Sequence, residues 1–148
     1  MDVTHWMTKN PVVAQSNESL ATVRRKMDKG NFHRVPVVDG GKLVGIVSDR
    51  DLRQHVGSLE DVKVNGAMTK PVVSVAPTTM LEGAANLLVK HKIGGLPVVE
   101  QGKVVGIITT TDLLRAFTEV LGGAQKESRG STWPWTETLP SLRWSRSW

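Results

Sequence analysis

Two short stretches hold most of the chemistry this sequence has to offer. GIVSDRDL, Gly45 to Leu52, returns sixty-one residues later as GIITTTDL, Gly106 to Leu113. Each sets a hydroxyl three residues ahead of an aspartate, Ser48 before Asp51 and Thr109 before Asp112, where a β-branched run gives way to a helical pattern. That spacing can do two things. Hydroxyl and acid can cap a helix, each satisfying a backbone N–H at its start. The same helix start also presents unpaired N–H groups and the positive end of its dipole, a seat for phosphate, beside a carboxylate able to accept both hydroxyl protons of a ribose. On the residues alone both readings stand.

Other chemistry finds little support. His5, His33, His55 and His91 show no i, i+4 pairing and no acidic partner at metal-ligand spacing. GxSxG, HExxH and GxGxxG are all missing, so no catalytic residue and no metal site is predicted. Gly40-Gly41-Lys42 lacks the spaced glycine and the Ser/Thr of a phosphate loop, and its counterpart is Gln101-Gly102-Lys103, so a plain turn is expected.

The elements that must position the two aspartates are themselves repeated. Shifting Pro36–Leu52 by 61 lays PVVDGGKLVGIVSDRDL on PVVEQGKVVGIITTTDL with ten of seventeen positions identical. MTKNPVV at Met7–Val13 answers MTKPVV at Met68–Val73, read with one residue fewer in the second copy. Between these anchors Leu20, Val23, Met27 and Phe32 fall on Leu81, Ala84, Leu88 and Ile93, the spacing of one buried helix face and the exit from it. Each copy therefore reads as strand, helix, strand, strand, helix. The first strands are expected in PVVA and PVVSV, the helices at about 18–29 and 79–91, a hairpin around each turn, and last helices at about 49–55 and 110–121. Gly57–Asn65 reads as the linker.

Taken together, MTxxPVV, a helix, (R/G)(V/L)PVV(D/E) and GKxVGI(V/I)(S/T)xxDL resemble the cystathionine β-synthase (CBS) domain, and two copies resemble a CBS pair, or Bateman module. The resemblance covers Met7–His55 and Met68–Phe117. It implies an α+β fold of two βαββα repeats packed with pseudo-twofold symmetry, and two clefts that in relatives bind AMP, ADP, ATP or S-adenosylmethionine to regulate an attached or partner protein. It assigns Ser48 and Thr109 to ribose or phosphate, Asp51 and Asp112 to the ribose diol, and Ile46 and Ile107 to the purine. Val13 and His33 would serve the Asp112 cleft, Val73 and Gly94 the Asp51 cleft. Arg34 would reach phosphate in the Asp51 cleft, where the second copy has only Gly95. No cofactor is required on this reading; an adenine nucleotide is the regulatory ligand. The alternative is a ligand-free scaffold for dimerisation or protein interaction.

Composition fits a regulator better than a nucleic-acid binder or a membrane protein. The chain has 148 residues, no cysteine and a net charge of +5, with no apolar run of 18 residues and no signal-peptide pattern, which predicts a cytoplasmic protein. A pI near 9.8 without basic–aromatic interleaving makes nucleic acid an unlikely partner. Leu52, Val56, Leu113, Leu114, Phe117 and Val120 put apolar surface on the helices beside the clefts, which points to a homodimer. The domains expected are residues 1–60, 61–124 and a tail of 125–148 that holds four of the five tryptophans. Such an indole content predicts packing on the domain or across a dimer, with an effector protein, a membrane surface or an aberrant reading-frame extension as the other candidates.

Overall fold

The computed structural model describes residues 1–127, so the expectations for the tryptophan-rich tail lie outside the described residues. In chain order the elements are β1 (Thr8–Lys9), β2 (Ala14–Gln15), α1 (Leu20–Gly30), β3 (Arg34–Asp39), β4 (Lys42–Ser48), α2 (Asp49–Arg53), α3 (Leu81–His91), β5 (Gly95–Glu100), β6 (Lys103–Thr109) and α4 (Thr110–Glu127). A first compact unit spans Met1–Arg115; a second begins at Ala116, within α4.

The hairpins form as the turn chemistry requires. Gly40 and Gly41 stand at φ 57° and 83°, Gln101 and Gly102 at 53° and 79°. Positive φ at both central residues gives the turn whose twist matches an antiparallel pair. Both hairpins carry a register shift at the same place, Val37/Val38 and Val98/Val99.

Repetition extends to pairings between the copies. Lys42 pairs antiparallel with Lys103, its own counterpart (42 + 61 = 103). An antiparallel pair of equivalent residues puts a local twofold axis between them, which is the expected pseudo-twofold arrangement. About this axis the copies exchange their leading segments. Thr8 and Lys9 of β1 lie on Ile107 and Gly106 of β6, while Thr69 bridges to Ile46 of β4. The amides of Leu20 and Leu81, the first of their helices and so without partners inside them, donate to the carbonyls of Val62 at 2.9 Å and Met1 at 3.1 Å. In return the amides of Val64 and Val3 donate to the carbonyls of Glu18 and Thr79 at 2.8 and 2.9 Å. The core beneath α1 accordingly combines Leu20, Val23, Met27, Val35, Val47 and Leu52 with Val62, Val64 and Met68 from the start of the second copy.

The glycine that opens each GI(V/I) motif is explained by this exchange. A Cβ at Gly45 would meet the Met68 side chain, and one at Gly106 the Met7 side chain and the Thr8 carbonyl oxygen, the latter at 3.0 Å. Each repeat thus keeps a bare strand position for the other's methionine.

Several boundaries differ from the sequence reading. PVVA and PVVSV form almost no strand: Ala14–Gln15 pairs parallel with β3, and Val75 makes a single bridge to Val98. The reason is the exchange itself, because residues 10–13 must cross from β6 to β3. The copies also keep a constant offset of 61 here, Ala14 opposite Val37 and Val75 opposite Val98, so the second copy loses no residue and the counterpart of Val73 is Val12, not Val13. Helix α1 begins after Ser19, whose hydroxyl accepts from the Thr22 amide at 3.2 Å, and runs through Gly30; Asn31 takes the left-handed cap position at φ 57°. Helix α3 begins after Met80, and Lys92 occupies the matching left-handed position at φ 54°. Helix α2 stops at Arg53, short of the expected 55, and α4 runs on to Glu127, beyond the expected 121.

Candidate functional site

The chain leaves β4 at Ser48 and turns directly into α2, and the two residues that start the helix hold each other. Asp51 Oδ2 accepts from the Ser48 amide at 2.9 Å and from its hydroxyl at 3.1 Å, while Ser48 Oγ accepts from the Asp51 amide at 3.3 Å. Thr109 and Asp112 repeat this at the start of α4, at 2.9, 2.9 and 3.3 Å. The capping reading of the motif is therefore correct at both sites. It uses one carboxylate oxygen and fixes where the other points.

Beside Asp51 lies a cleft of about 460 Å³. Its walls come from both copies. From the first come Arg34, Ile46, Ser48, Asp49, Arg50, Asp51 and Gln54; from the second Thr69, Pro71, Val72, Val73, Lys92, Ile93, Gly94 and Gly95. Of the residues expected to bind, Asp51, Ser48, Arg34, Ile46, Val73 and Gly94 thus meet in one place. The remaining five do not line this cleft. His33, mostly exposed, sets Nδ1 3.4 Å from Asp49 Oδ2. Ile107 is buried on β6 opposite Thr8 and Pro97. The Val13 carbonyl accepts from Lys26 Nζ at 2.9 Å, and Lys26 also bonds Glu18. Thr109 and Asp112 belong to the second capping pair.

Charge in the cleft is uneven. Arg34, Arg50 and Lys92 face Asp49 and Asp51. The Arg34 side chain lies along Gly94-Gly95: a Cβ at Gly94 would meet its guanidinium, and one at Gly95 would stand 2.6 Å from Arg34 Cδ. Burial there pushes the guanidinium pKa below its ordinary value, against an opposing pull from Asp49. Arginine's pKa is high enough that the group stays cationic at neutral pH. The glycines opposite the cation are thus its seat, not only a gap in the second copy.

Sequence reasoning missed Asp49, Lys92, Gln54, Thr69, Pro71 and Val72 as wall residues. Gln54 carried a readable signal, one helical turn beyond Asp51. Thr69, Pro71 and Val72 became part of the wall through the segment exchange, and Lys92 through a left-handed cap, neither of which spacing reveals. Among the described residues no cluster of His, Cys, Asp or Glu has metal-site geometry, and no helix is long and apolar enough to cross a membrane.

Comparison with known proteins gives one consistent result. The sequence profile described as CBS domain matches twice, over residues 2–58 and 59–119. Protein MJ1225 of Methanocaldococcus jannaschii is 32% identical over 127 residues, 76% of this chain and 45% of that protein. Among solved structures, the CBS domain pair of protein MJ0100 in complex with 5′-methylthioadenosine and S-adenosyl-L-methionine aligns with a TM-score of 0.75 at 30% identity, covering 80% of this chain and 97% of that one. CBSX2, from Arabidopsis thaliana, in complex with AMP aligns with a TM-score of 0.73 at 31% identity, covering 80% and 97%. The chain spans less than half the length of the curated relatives that head the comparison, 45% in one and 22% in others.

Proposed function

Because this chain belongs to the CBS domain family, as a tandem pair of its repeats, we propose that it is a regulatory module that binds an adenosine compound in the Asp51 cleft and is not itself an enzyme. The observation that carries this reading is the convergence of Arg34, Ile46, Ser48, Asp51, Val73 and Gly94 on one cleft built from both copies. Asp51 takes the ribose diol through the oxygen its cap leaves open, and Ser48 holds that carboxylate in place. Ile46, Val73 and Gly94 flank the base. Arg34, with Arg50 and Lys92 beside it, takes phosphate. Three cations against two carboxylates favour AMP, ADP or ATP over S-adenosylmethionine, whose sulfonium is itself cationic. In the other copy Asp112, Thr109 and Ile107 play the same parts, with His33 and the Val12–Val13 stretch as neighbours.

A ligand seated between copies changes how they hold each other, and that is what an effector would read. The regulator acts as a homodimer in the cytoplasm: α4 leaves Phe117 and Val120 mostly exposed, apolar area suited to an isologous contact. The test of the ligand reading is a thermal-shift panel of adenosine, AMP, ADP, ATP, S-adenosylmethionine and 5′-methylthioadenosine. A true ligand at 100 times its dissociation constant adds about 2.7 kcal/mol. Stabilisation by the phosphorylated members supports the reading; a flat response across the panel overturns it in favour of the ligand-free scaffold.

A further inference from the structure

The two capping pairs match closely at the oxygen they share and differ at the oxygen they leave. In the second copy Arg115 Nη2 donates to Asp112 Oδ1 at 3.0 Å, and the Asp112 side chain is only 8% exposed. In the first copy the matching residue is Gln54 (54 + 61 = 115), and among the described residues Asp51 Oδ1 accepts no hydrogen bond. Asp51 is also the less buried of the two. A ribose diol needs the oxygen that the cap does not use. At Asp51 that oxygen is free; at Asp112 an arginine already holds it.

We propose that Arg115 sets the occupancy of the Asp112 site, making this chain a sensor with one tight site at Asp51 and one weak site at Asp112. The proposal rests on the adenosine reading above and extends it to the inequality of the two sites. Ligand entering at Asp112 must displace a charge-assisted hydrogen bond from a largely buried carboxylate, and such bonds are about twice as strong as neutral ones. The Arg115 side chain is 61% exposed, which softens the effect, so a difference of about tenfold in affinity is expected. The weak site then fills only after the tight one, and the module responds over a wider range of ligand concentration than two equal sites would allow.

Calorimetric titration with adenosine tests this, because adenosine carries no phosphate that Arg115 could attract instead. The wild type should show one tight site and a second about tenfold weaker. Arg115→Gln, which installs the first copy's residue, should bring the two to within about threefold. Asp51→Ala should remove the tight site alone, and Asp51→Ala with Arg115→Gln should recover one tight site. Arg115→Met, which removes the donor without offering an amide, should behave as Arg115→Gln and guards against an effect of the new side chain. Two equal sites in the wild type, or a second site that Arg115→Gln leaves unchanged or weakens, would overturn the proposal while leaving the adenosine reading intact. Absence of binding by every variant would sink the adenosine reading and this inference with it.

Discussion

Alanine at Gly106 and at Gly45 should destabilise the protein by unequal amounts, and the difference follows from what each Cβ would strike. Neither glycine has a positive φ, so backbone strain is not at issue. At Gly45 all three nearest atoms belong to the Met68 side chain, with Cγ at 2.9 Å and Cβ at 3.2 Å. A thioether can swing aside, though a Cβ can move only with its backbone. At Gly106 the neighbours are the Met7 side chain, with Cγ at 3.0 Å, and the Thr8 carbonyl oxygen, also at 3.0 Å. Thr8 is fixed in β1 by its pairing with Ile107, so its carbonyl cannot retreat without breaking that pairing. Overpacking of this kind costs about 1–3 kcal/mol. Gly45→Ala should fall near the lower end and Gly106→Ala near the upper. At about 4 °C per kcal/mol for a unit of this size, calorimetry should record losses of about 4 °C and 12 °C. A double-mutant cycle then isolates the contact. In a Met68→Ala background the further cost of Gly45→Ala should fall to the small part set by the Cβ at 3.2 Å, which alanine keeps, whereas in a Met7→Ala background Gly106→Ala should retain the larger cost of the Thr8 carbonyl at 3.0 Å. Equal losses at the two glycines, or no coupling to either methionine, would refute the reasoning.

Arg34→Ala should weaken AMP or ATP by ten- to a hundredfold, the value of about 1.5–3 kcal/mol for a charge-assisted bond to phosphate, and leave adenosine within about twofold; titration showing equal losses for both ligands would contradict a phosphate role. Asp51→Ala should weaken AMP, ATP and adenosine alike. A fragment of residues 1–60 should show no cooperative melting transition, since it lacks the Val62 carbonyl that receives the Leu20 amide and the Val64 and Met68 side chains that complete its core. Phe117→Glu should convert the proposed dimer to a monomer, and sedimentation of the unmodified chain as a 16.2 kDa species alone at micromolar concentration would remove the dimer from the reading.

How much of this could be read from the sequence depended on whether the signal was local. The Ser48/Asp51 and Thr109/Asp112 caps, the turns at Gly40-Gly41 and Gln101-Gly102, and the buried faces of α1 and α3 all follow from residues within a turn or two of one another. They were legible. The exchange of leading segments was not, because it joins residues far apart in the chain through backbone bonds that no side-chain pattern marks. Its trace was present in the glycine shared by Gly45 and Gly106, a strand residue with no turn to justify it. The PVV anchor misleads in two ways: a strand-like composition suggests a strand where the chain crosses from β6 to β3, and identical letters hide a constant offset of 61. The sequence shows Arg34 as a cation that the second copy lacks at Gly95, but its seat on Gly94-Gly95 depends on three-dimensional proximity. Arg115 was visible only by asking what stands at the position of Gln54.

The exchange also dictates an order of assembly during synthesis. The helix α1 emerges early, but its first amide finds its acceptor only when Val62 has been made, and the core beneath it closes only with Val64 and Met68. The strand β1 waits longer. Thr8 pairs with Ile107, ninety-nine residues downstream (107 − 8 = 99), so β1 is made well before its partner and is among the last of these elements to be fixed. At about 5–20 residues per second that is an interval of several seconds or more, and contacts of such long range are the slow ones in folding. A strand left unpaired for that time is open to pairing with the wrong chain. β1 is only two residues long and is followed closely by Pro11, which has no amide to offer a ladder. Its brevity limits what it can pair with before its partner exists.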